Sequence, residues 1–353
     1  MNAQAQSARE QFKQIAKERI LLFDGGYGTA IQNRNLEEAD YRGDMEVTAD
    51  QKGNNDILSI TRPDVIADIH DEYIAAGSDI IETNTFSANT ISQADYAAEH
   101  LVRDINIASA RVAREACDRA TAKDGRPRFV AGAIGPTNKT LSLSPDVNDP
   151  GFREVDYDEM LAVYREQCDA LIEGGVDFIL IETIFDTLNA KVAAMAAREA
   201  ALAAGRDVPL MISMTITDMA GRNLSGHTVE GFWHAIRHVK PLTVGLNCSF
   251  GADQLRPHLA ALSAAADTII MAYPNAGLPN DLGEYDETPE QTAAQVGHWV
   301  EDGLVNVVGG CCGTTPGHIA AMAKMVDGEA PRTIPEVAVQ TRLSGLEPFT
   351  MAA

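Results

Sequence analysis

Three cysteines stand where apolar runs end. Cys311 and Cys312 are adjacent within Val307-Val308-Gly309-Gly310-Cys311-Cys312-Gly313-Thr314-Thr315, and Cys248 closes Val244-Gly245-Leu246-Asn247-Cys248. Both runs read as buried strands, so the thiols fall at strand C-termini, where α/β folds carry their chemistry. Neighbouring cysteines rarely bond to each other, because that disulfide is strained. Three soft thiolates converging on one point suit Zn²⁺, with the fourth tetrahedral position open to a substrate. A structural or redox role for the thiols is the competing reading.

Acids and amides end other runs. The first run leads into Asp24-Gly25-Gly26-Tyr27-Gly28-Thr29. This fails as a dinucleotide fingerprint, since Ile31 fills the third glycine slot. A tight turn is the better reading, with backbone N–H groups at Gly25 and Gly26 free to take a small carboxylate. The second run ends in Glu82-Thr83-Asn84-Thr85-Phe86 and the fourth in Glu182-Thr183. Asp24 and Glu182 are then two carboxylates at one mouth, suited to an ammonium group. Each reads equally well alone as a structural acid held by loop amides. The seventh run ends in Tyr273-Pro274-Asn275, which brings an amide near the thiols. No lysine ends a run, which weighs against Schiff-base chemistry.

The elements that must position these groups are eight short apolar runs, at 20–24, 79–84, 129–135, 177–183, 210–215, 243–248, 268–273 and 305–310. Most are continuous rather than alternating, as in parallel strands covered on both faces. Helical patterns fill the gaps. Thr288-Pro289-Glu290-Gln291 and Thr315-Pro316 start helices, and Gly77, Gly174, Gly205 and Gly303 are expected to stop them. Eight strands with crossover helices predict an α/β fold, a single-domain (β/α)8 TIM barrel with its active site at the C-terminal ends of the strands. A doubly wound sheet is the rival, and the count of eight decides against it.

The barrel is expected to occupy 20–330, after a polar helical extension at 1–19 and before a linker-like tail at 331–353 without strand or helix periodicity. Segments 35–56 and 136–156 exceed ordinary loop length and read as the rim of the site. Residues 50–56 read as a solvated polar loop, and Met195, Met211 and Met214 as core filler. His234 and His238 lie on an outer helix as surface or packing residues. Cys117 and Cys168 behave as small hydrophobes.

Composition narrows the class. The 353 residues hold 28 Lys and Arg against 51 Asp and Glu, a net charge of −23. Nucleic acids and anionic membranes need basic surfaces, so neither is an expected partner. The odd count of five cysteines and the absence of a signal-like or membrane-spanning segment point to reduced thiols in a cytoplasmic setting.

Taken together, the Asp-Gly-Gly turn, Glu182-Thr183, Asn247-Cys248 and Gly309-Gly310-Cys311-Cys312-Gly313-Thr314-Thr315-Pro316 resemble the zinc-dependent homocysteine S-methyltransferases. The homocysteine-binding module of cobalamin-dependent methionine synthase is similar in more detail. Lys52-Gly53-Asn54-Asn55-Asp56, Glu82-Thr83-Asn84-Thr85-Phe86, Ser144-Pro145-Asp146-Val147-Asn148-Asp149-Pro150 and Pro274-Asn275-Ala276-Gly277-Leu278-Pro279-Asn280 carry that likeness. It extends from about Arg19 to Pro348, ending in Arg342-Leu343-Ser344-Gly345-Leu346-Glu347-Pro348, which resembles the lead into the folate module.

The resemblance implies a methyltransferase that makes methionine from homocysteine. It implies Zn²⁺ on Cys248, Cys311 and Cys312, with homocysteine as a fourth sulfur ligand. Asp24 and Glu182 would hold the substrate ammonium and the amides around Gly25 and Gly26 its carboxylate, with Asn84 and Asn247 among the substrate contacts. Asn275 would occupy the open zinc position until homocysteine displaces it. The synthase's folate, cobalamin and reactivation modules find no room in 353 residues, and no Asp-x-His-x-x-Gly motif is present to ligate cobalt. The expectation is therefore either an excised fragment of the synthase or one component of a split synthase, and in both cases the methyl carrier comes from elsewhere. Methylcobalamin would arrive on a separate cobalamin-binding protein, with a folate-binding methyltransferase as a further partner. The alternatives are a stand-alone enzyme using S-methylmethionine or betaine, and a non-catalytic zinc- or thiol-binding protein.

Overall fold

Uninterrupted runs of Ile, Val, Leu and Phe are stable only where both faces of a strand are covered. The computed structural model, which describes residues 7–351, covers them in that way. Its main sheet has eight parallel strands: β1 (Leu21–Leu22), β2 (Ile80–Glu82), β3 (Phe129–Ile134), β4 (Phe178–Ile184), β5 (Leu210–Met214), β6 (Thr243–Asn247), β7 (Ile269–Tyr273) and β8 (Val307–Val308). They pair in the order β1-β8-β7-β6-β5-β4-β3-β2. A parallel bridge between Phe23 and Ile80, and a 2.7 Å bond from the Asp79 N–H to the Leu22 carbonyl, bring β1 beside β2 and close the barrel. The expected (β/α)8 barrel is the fold observed, with every predicted run forming its strand. β8 stops early because Gly309 lets the chain press on Phe23, where a Cβ would lie 2.7 Å from the Phe23 Cβ.

Alternation divides each strand between two cores. Leu21, Phe23, Phe129, Ala131, Phe178, Leu180, Met211 and Met271 fill the barrel, while Val130, Ile134, Ile179, Val244 and Ile270 face the helices. The N-terminal extension is a helix, Ala8–Glu18, started by a reciprocal Ser7–Glu10 capping box. It is more than a polar appendage. Phe12 is buried with its ring 5.5 Å from Phe129 and 5.2 Å from Phe178, both edge-on, so the helix plugs the N-terminal end of the barrel. Toward the other end the inward positions turn polar, from Phe178 and Leu180 to Glu182 and from Ile269 and Met271 to Tyr273. That gradient sets the chemistry at the mouth.

Helix ends follow the capping chemistry with one shift. Thr288 and Gln291 form the expected box ahead of Pro289. At Thr315 the reciprocal partner is the His318 ring rather than a Glu or Gln. Gly77 and Gly205 cap in the left-handed region (φ 118° and 63°), as does Gly303 just past its helix (φ 64°). The stop expected at Gly174 falls one residue later. Gly174 is the last helical residue, pressed against Ala110, and Gly175 takes the positive φ.

Three further expectations are corrected. The tail is not without strands: β9 (Arg342–Ser344) and β10 (Pro348–Thr350) form an antiparallel hairpin against the helix Val229–Ile236. The Thr228 N–H donates to the Leu346 carbonyl (2.9 Å) and the Ser344 hydroxyl to the Gly231 carbonyl (2.6 Å). Two three-residue strands with exposed side chains leave no hydrophobic period to read. Met195 is exposed rather than core. Residues 50–56 are not simply solvated, since Gln51, Asn54 and Asp56 are all buried. No helix among the described residues is long and apolar enough to cross a membrane.

Candidate active site

The cysteine loop after β8 is held from both sides. Toward β1, the Gly310 N–H donates to the Asp24 carbonyl (2.9 Å) and the Gly313 N–H to the Thr29 hydroxyl oxygen (2.9 Å). Toward β7, the Cys311 N–H donates to the Pro274 carbonyl (2.8 Å) and the Cys312 N–H to Asn275 Oδ1 (3.2 Å). Gly26 is required here, because a Cβ would lie 2.5 Å from the Cys311 carbonyl oxygen. Cys248 leaves β6 through two consecutive left-handed residues, itself (φ 63°) and Ser249 (φ 61°). Non-glycine residues pay for that conformation and tend to adopt it at functional sites.

These loops bring all three thiols together. The Sγ atoms of Cys248, Cys311 and Cys312 lie within 4.8 Å of one another, with Cys248 and Cys312 at 3.8 Å. A tetrahedral zinc with Zn–S bonds of about 2.3 Å needs sulfurs about 3.8 Å apart, so the donor set and spacing fit the ion. No fourth Cys, His or acid joins the cluster among the described residues.

The thiols open onto a cavity of about 320 Å³ at the barrel mouth. Gly25, Gly26, Asn84 and Glu182, four of the candidate substrate contacts, line it. So do Glu82, Asn55, Asp56, Tyr27, Phe86, Tyr96 and Tyr273, which were not named as site residues. Asp24, Asn247 and Asn275 are buried and are not part of the wall. Asp24 Oδ2 accepts the Glu82 N–H (2.8 Å) and the Tyr27 hydroxyl (3.1 Å). Asn247 accepts from Ser213 (2.7 Å) and bonds Thr183, and its amide nitrogen stands 4.0 Å from Cys311 Sγ. Asn84 donates to the Asn55 carbonyl (2.7 Å). The Gly26 N–H is taken by the Thr314 hydroxyl (3.1 Å), so that amide is spent on bracing the turn. Tyr285, on the loop after β7, packs on Gly313 beside the cysteines.

Burial sets the electrostatics. It pushes Asp24 and Glu82 well above the ordinary carboxylate range, and the neighbouring Glu182 charge adds to the effect on both. Glu182 is raised by burial as well, against the hydrogen bond it accepts from the Tyr273 hydroxyl (3.0 Å). Asp56 is pushed up to about 7 by burial, opposed by the Ser87 N–H. A larger groove of about 650 Å³ lies beside the N-terminal helix at the opposite end. Its arginines, Arg19 and Arg126, are both spent on Asp79, and no thiol enters it.

The model of the family described as homocysteine S-methyltransferase matches residues 21–326. Solved structures of the homocysteine methyltransferase MmuM from Escherichia coli share the fold. The metallated form is 22% identical with a TM-score of 0.69, covering 88% of this chain and 98% of that one. The oxidized form is 21% identical with a TM-score of 0.68, covering 86% and 95%.

Proposed function

We propose that this chain, which belongs to the homocysteine S-methyltransferase family, is the homocysteine-activating component of a split methionine synthase. The observation that carries the reading is the convergence of Cys248, Cys311 and Cys312 in a cavity that also bears carboxylates. A thiol and an ammonium on one small amino acid match those two sets of groups. The likeness of the 52–56 and 82–86 segments to the synthase module bears on the donor, because Asn55, Asp56, Asn84 and Phe86 all line this cavity.

A free thiol with a pKa near 8.5 is only a few per cent thiolate at neutral pH. Zn²⁺ held by Cys248, Cys311 and Cys312 would supply the Lewis acid that keeps the homocysteine sulfur deprotonated. Three protein thiolates leave the site electron-rich, so the substrate sulfur stays nucleophilic where a three-histidine site would withdraw more charge. Glu182 takes the ammonium, and Asp24 supports that side of the cavity from behind. The Gly25 N–H is left for the carboxylate, since the Gly26 N–H is bonded to Thr314. Asn275, whose Oδ1 accepts the Cys312 N–H from behind the wall, would occupy the open zinc position until homocysteine displaces it. The sulfur lone pair forms the new bond to the methyl carbon, and the leaving donor keeps the electron pair of the bond that breaks. The methyl donor in this reading is methylcobalamin carried by a separate cobalamin-binding protein, recharged by a folate-binding methyltransferase.

A second reading has one observation in its favour. Tyr27, Phe86 and Tyr96 join the acids around the cavity, an environment that also suits a cationic donor such as S-methylmethionine or betaine. Zinc-loaded protein given homocysteine with each donor separately decides between them. Methionine from methylcobalamin alone supports the split synthase. Methionine from S-methylmethionine or betaine alone replaces it with a self-sufficient enzyme.

A further inference from the structure

The cavity wall carries three acids, Asp56, Glu82 and Glu182, and among the described residues no lysine, arginine or histidine. Glu82 ends β2 and Glu182 lies near the end of β4, on strands flanking β3. Alternate strands of such a barrel contribute to one layer, so their inward side chains meet above the intervening strand. The inward residues of β3 here are Ala131 and, two positions on, Ala133, whose methyl groups leave the space clear. Glu82 and Glu182 accordingly line the same cavity, near enough that the Glu182 charge acts on Glu82. Each is fixed from outside the pair. Tyr273 on β7 donates to Glu182 Oε2 (3.0 Å), and Asp24 after β1 holds the Glu82 N–H (2.8 Å). Asp24 is itself held by Tyr27, whose hydroxyl oxygen is 2.6 Å from His70 Nδ1.

We propose that Glu82 is a substrate-recognising residue that forms, with Glu182, a paired carboxylate seat for the ammonium group of homocysteine. Asp24 acts through Glu82 as a positioning residue. The proposal rests on the homocysteine reading and adds a residue to it. Two carboxylates facing one cavity, Glu182 buried and Glu82 half-buried, repel unless a proton or a cation lies between them. An ammonium group brings the positive charge and three N–H donors, enough for both acids and one further acceptor. The thiols share the same cavity of about 320 Å³, so one small amino acid spans both. The charged and titratable groups facing the pair are Asp24, Tyr27, Tyr73, Tyr273 and Cys312, none of them cationic.

The test compares zinc-loaded wild type and Glu82→Gln by titration calorimetry with homocysteine and with 4-mercaptobutyrate, the same thiol acid without its amino group. Removing one partner of a buried charged contact predicts a loss of about tenfold or more for homocysteine, with 4-mercaptobutyrate binding unchanged. Glu82→Asp, which keeps the charge and shortens its reach, should show the same selective loss at smaller size, and it serves if the Gln variant folds poorly. Equal homocysteine affinity in wild type and Glu82→Gln overturns the proposal. So does an equal loss for both ligands, which would mark Glu82 as structural. Wild-type protein that binds neither ligand brings down the homocysteine reading, and this proposal with it.

Discussion

Asn247 and Thr183 are joined by a reciprocal pair of hydrogen bonds across β5. The Thr183 N–H donates to Asn247 Oδ1 (3.1 Å), and Asn247 Nδ2 donates to the Thr183 hydroxyl (2.8 Å). Thr183 follows the acid Glu182, and Asn247 precedes Cys248, one of the three clustered thiols. Thr183 (φ 54°) and Cys248 (φ 63°) are both left-handed, so one amide holds two strained turns in register. Asn247→Ala should weaken metal binding by roughly 10- to 100-fold, the usual cost of losing such a support. Competition with a chromogenic chelator measures it, and an unchanged affinity would show that the thiols are held without this pair.

Gly26 and Gly28 offer a matched contrast two residues apart. A Cβ at Gly26 would sit 2.5 Å from the Cys311 carbonyl oxygen, whereas one at Gly28 meets nothing within 4 Å. Gly26→Ala is expected to displace the cysteine loop and lower the bound metal per chain. Gly28→Ala should keep full metal stoichiometry. Metal analysis of the two purified proteins is sufficient, and equal occupancy would contradict the close packing of the two turns.

Asp56 gives a pH dependence of defined sign. Its carboxyl titrates at about 7 in the folded chain and near 3.9 when unfolded. Between those values the folded state holds the extra proton, so stability is full below about pH 4 and declines as pH rises toward 7. Asp56→Asn keeps an oxygen for the Ser87 N–H and removes the titration. The variant should exceed wild type by up to a few kcal/mol at pH 8 and match it near pH 4. Urea unfolding at the two pH values is the measurement. A wild type that is the more stable at pH 8 would mean that folding lowers, rather than raises, the pKa of Asp56.

Phe12 separates stability from chemistry. It fills the floor of the barrel against Phe129 and Phe178, at the end opposite the thiols. Phe12→Ala should cost about 3–5 kcal/mol of folding stability, with metal stoichiometry and homocysteine affinity retained. Loss of metal in the folded variant would show that the floor also shapes the mouth.

Much of this arrangement is written in local sequence. Continuous apolar runs mark each barrel strand, because burial on both faces removes any polar alternation. Cysteines and acids at the ends of those runs mark the mouth, because parallel strands all finish on one side. The depth of each residue is not local information. Asp24, Asn247 and Asn275 sit behind the wall, while Glu82 and Asp56 reach it, through stagger between strands and the fold of the 35–56 loop. Asp56 looked solvated because nothing nearby in the chain shows that Ser87 and Tyr96 cover it. The β9–β10 hairpin escaped notice for a similar reason, since its partner is a glycine face at Gly231, more than a hundred residues away.

In this mechanism homocysteine completes the three-thiol site with its own sulfur. Zinc K-edge X-ray absorption of the zinc-loaded protein, before and after homocysteine, tests it directly. The account predicts three sulfur scatterers and one lighter atom becoming four sulfurs, with the change lost in Cys311→Ser. A first shell that stays the same while homocysteine is shown to bind would contradict it.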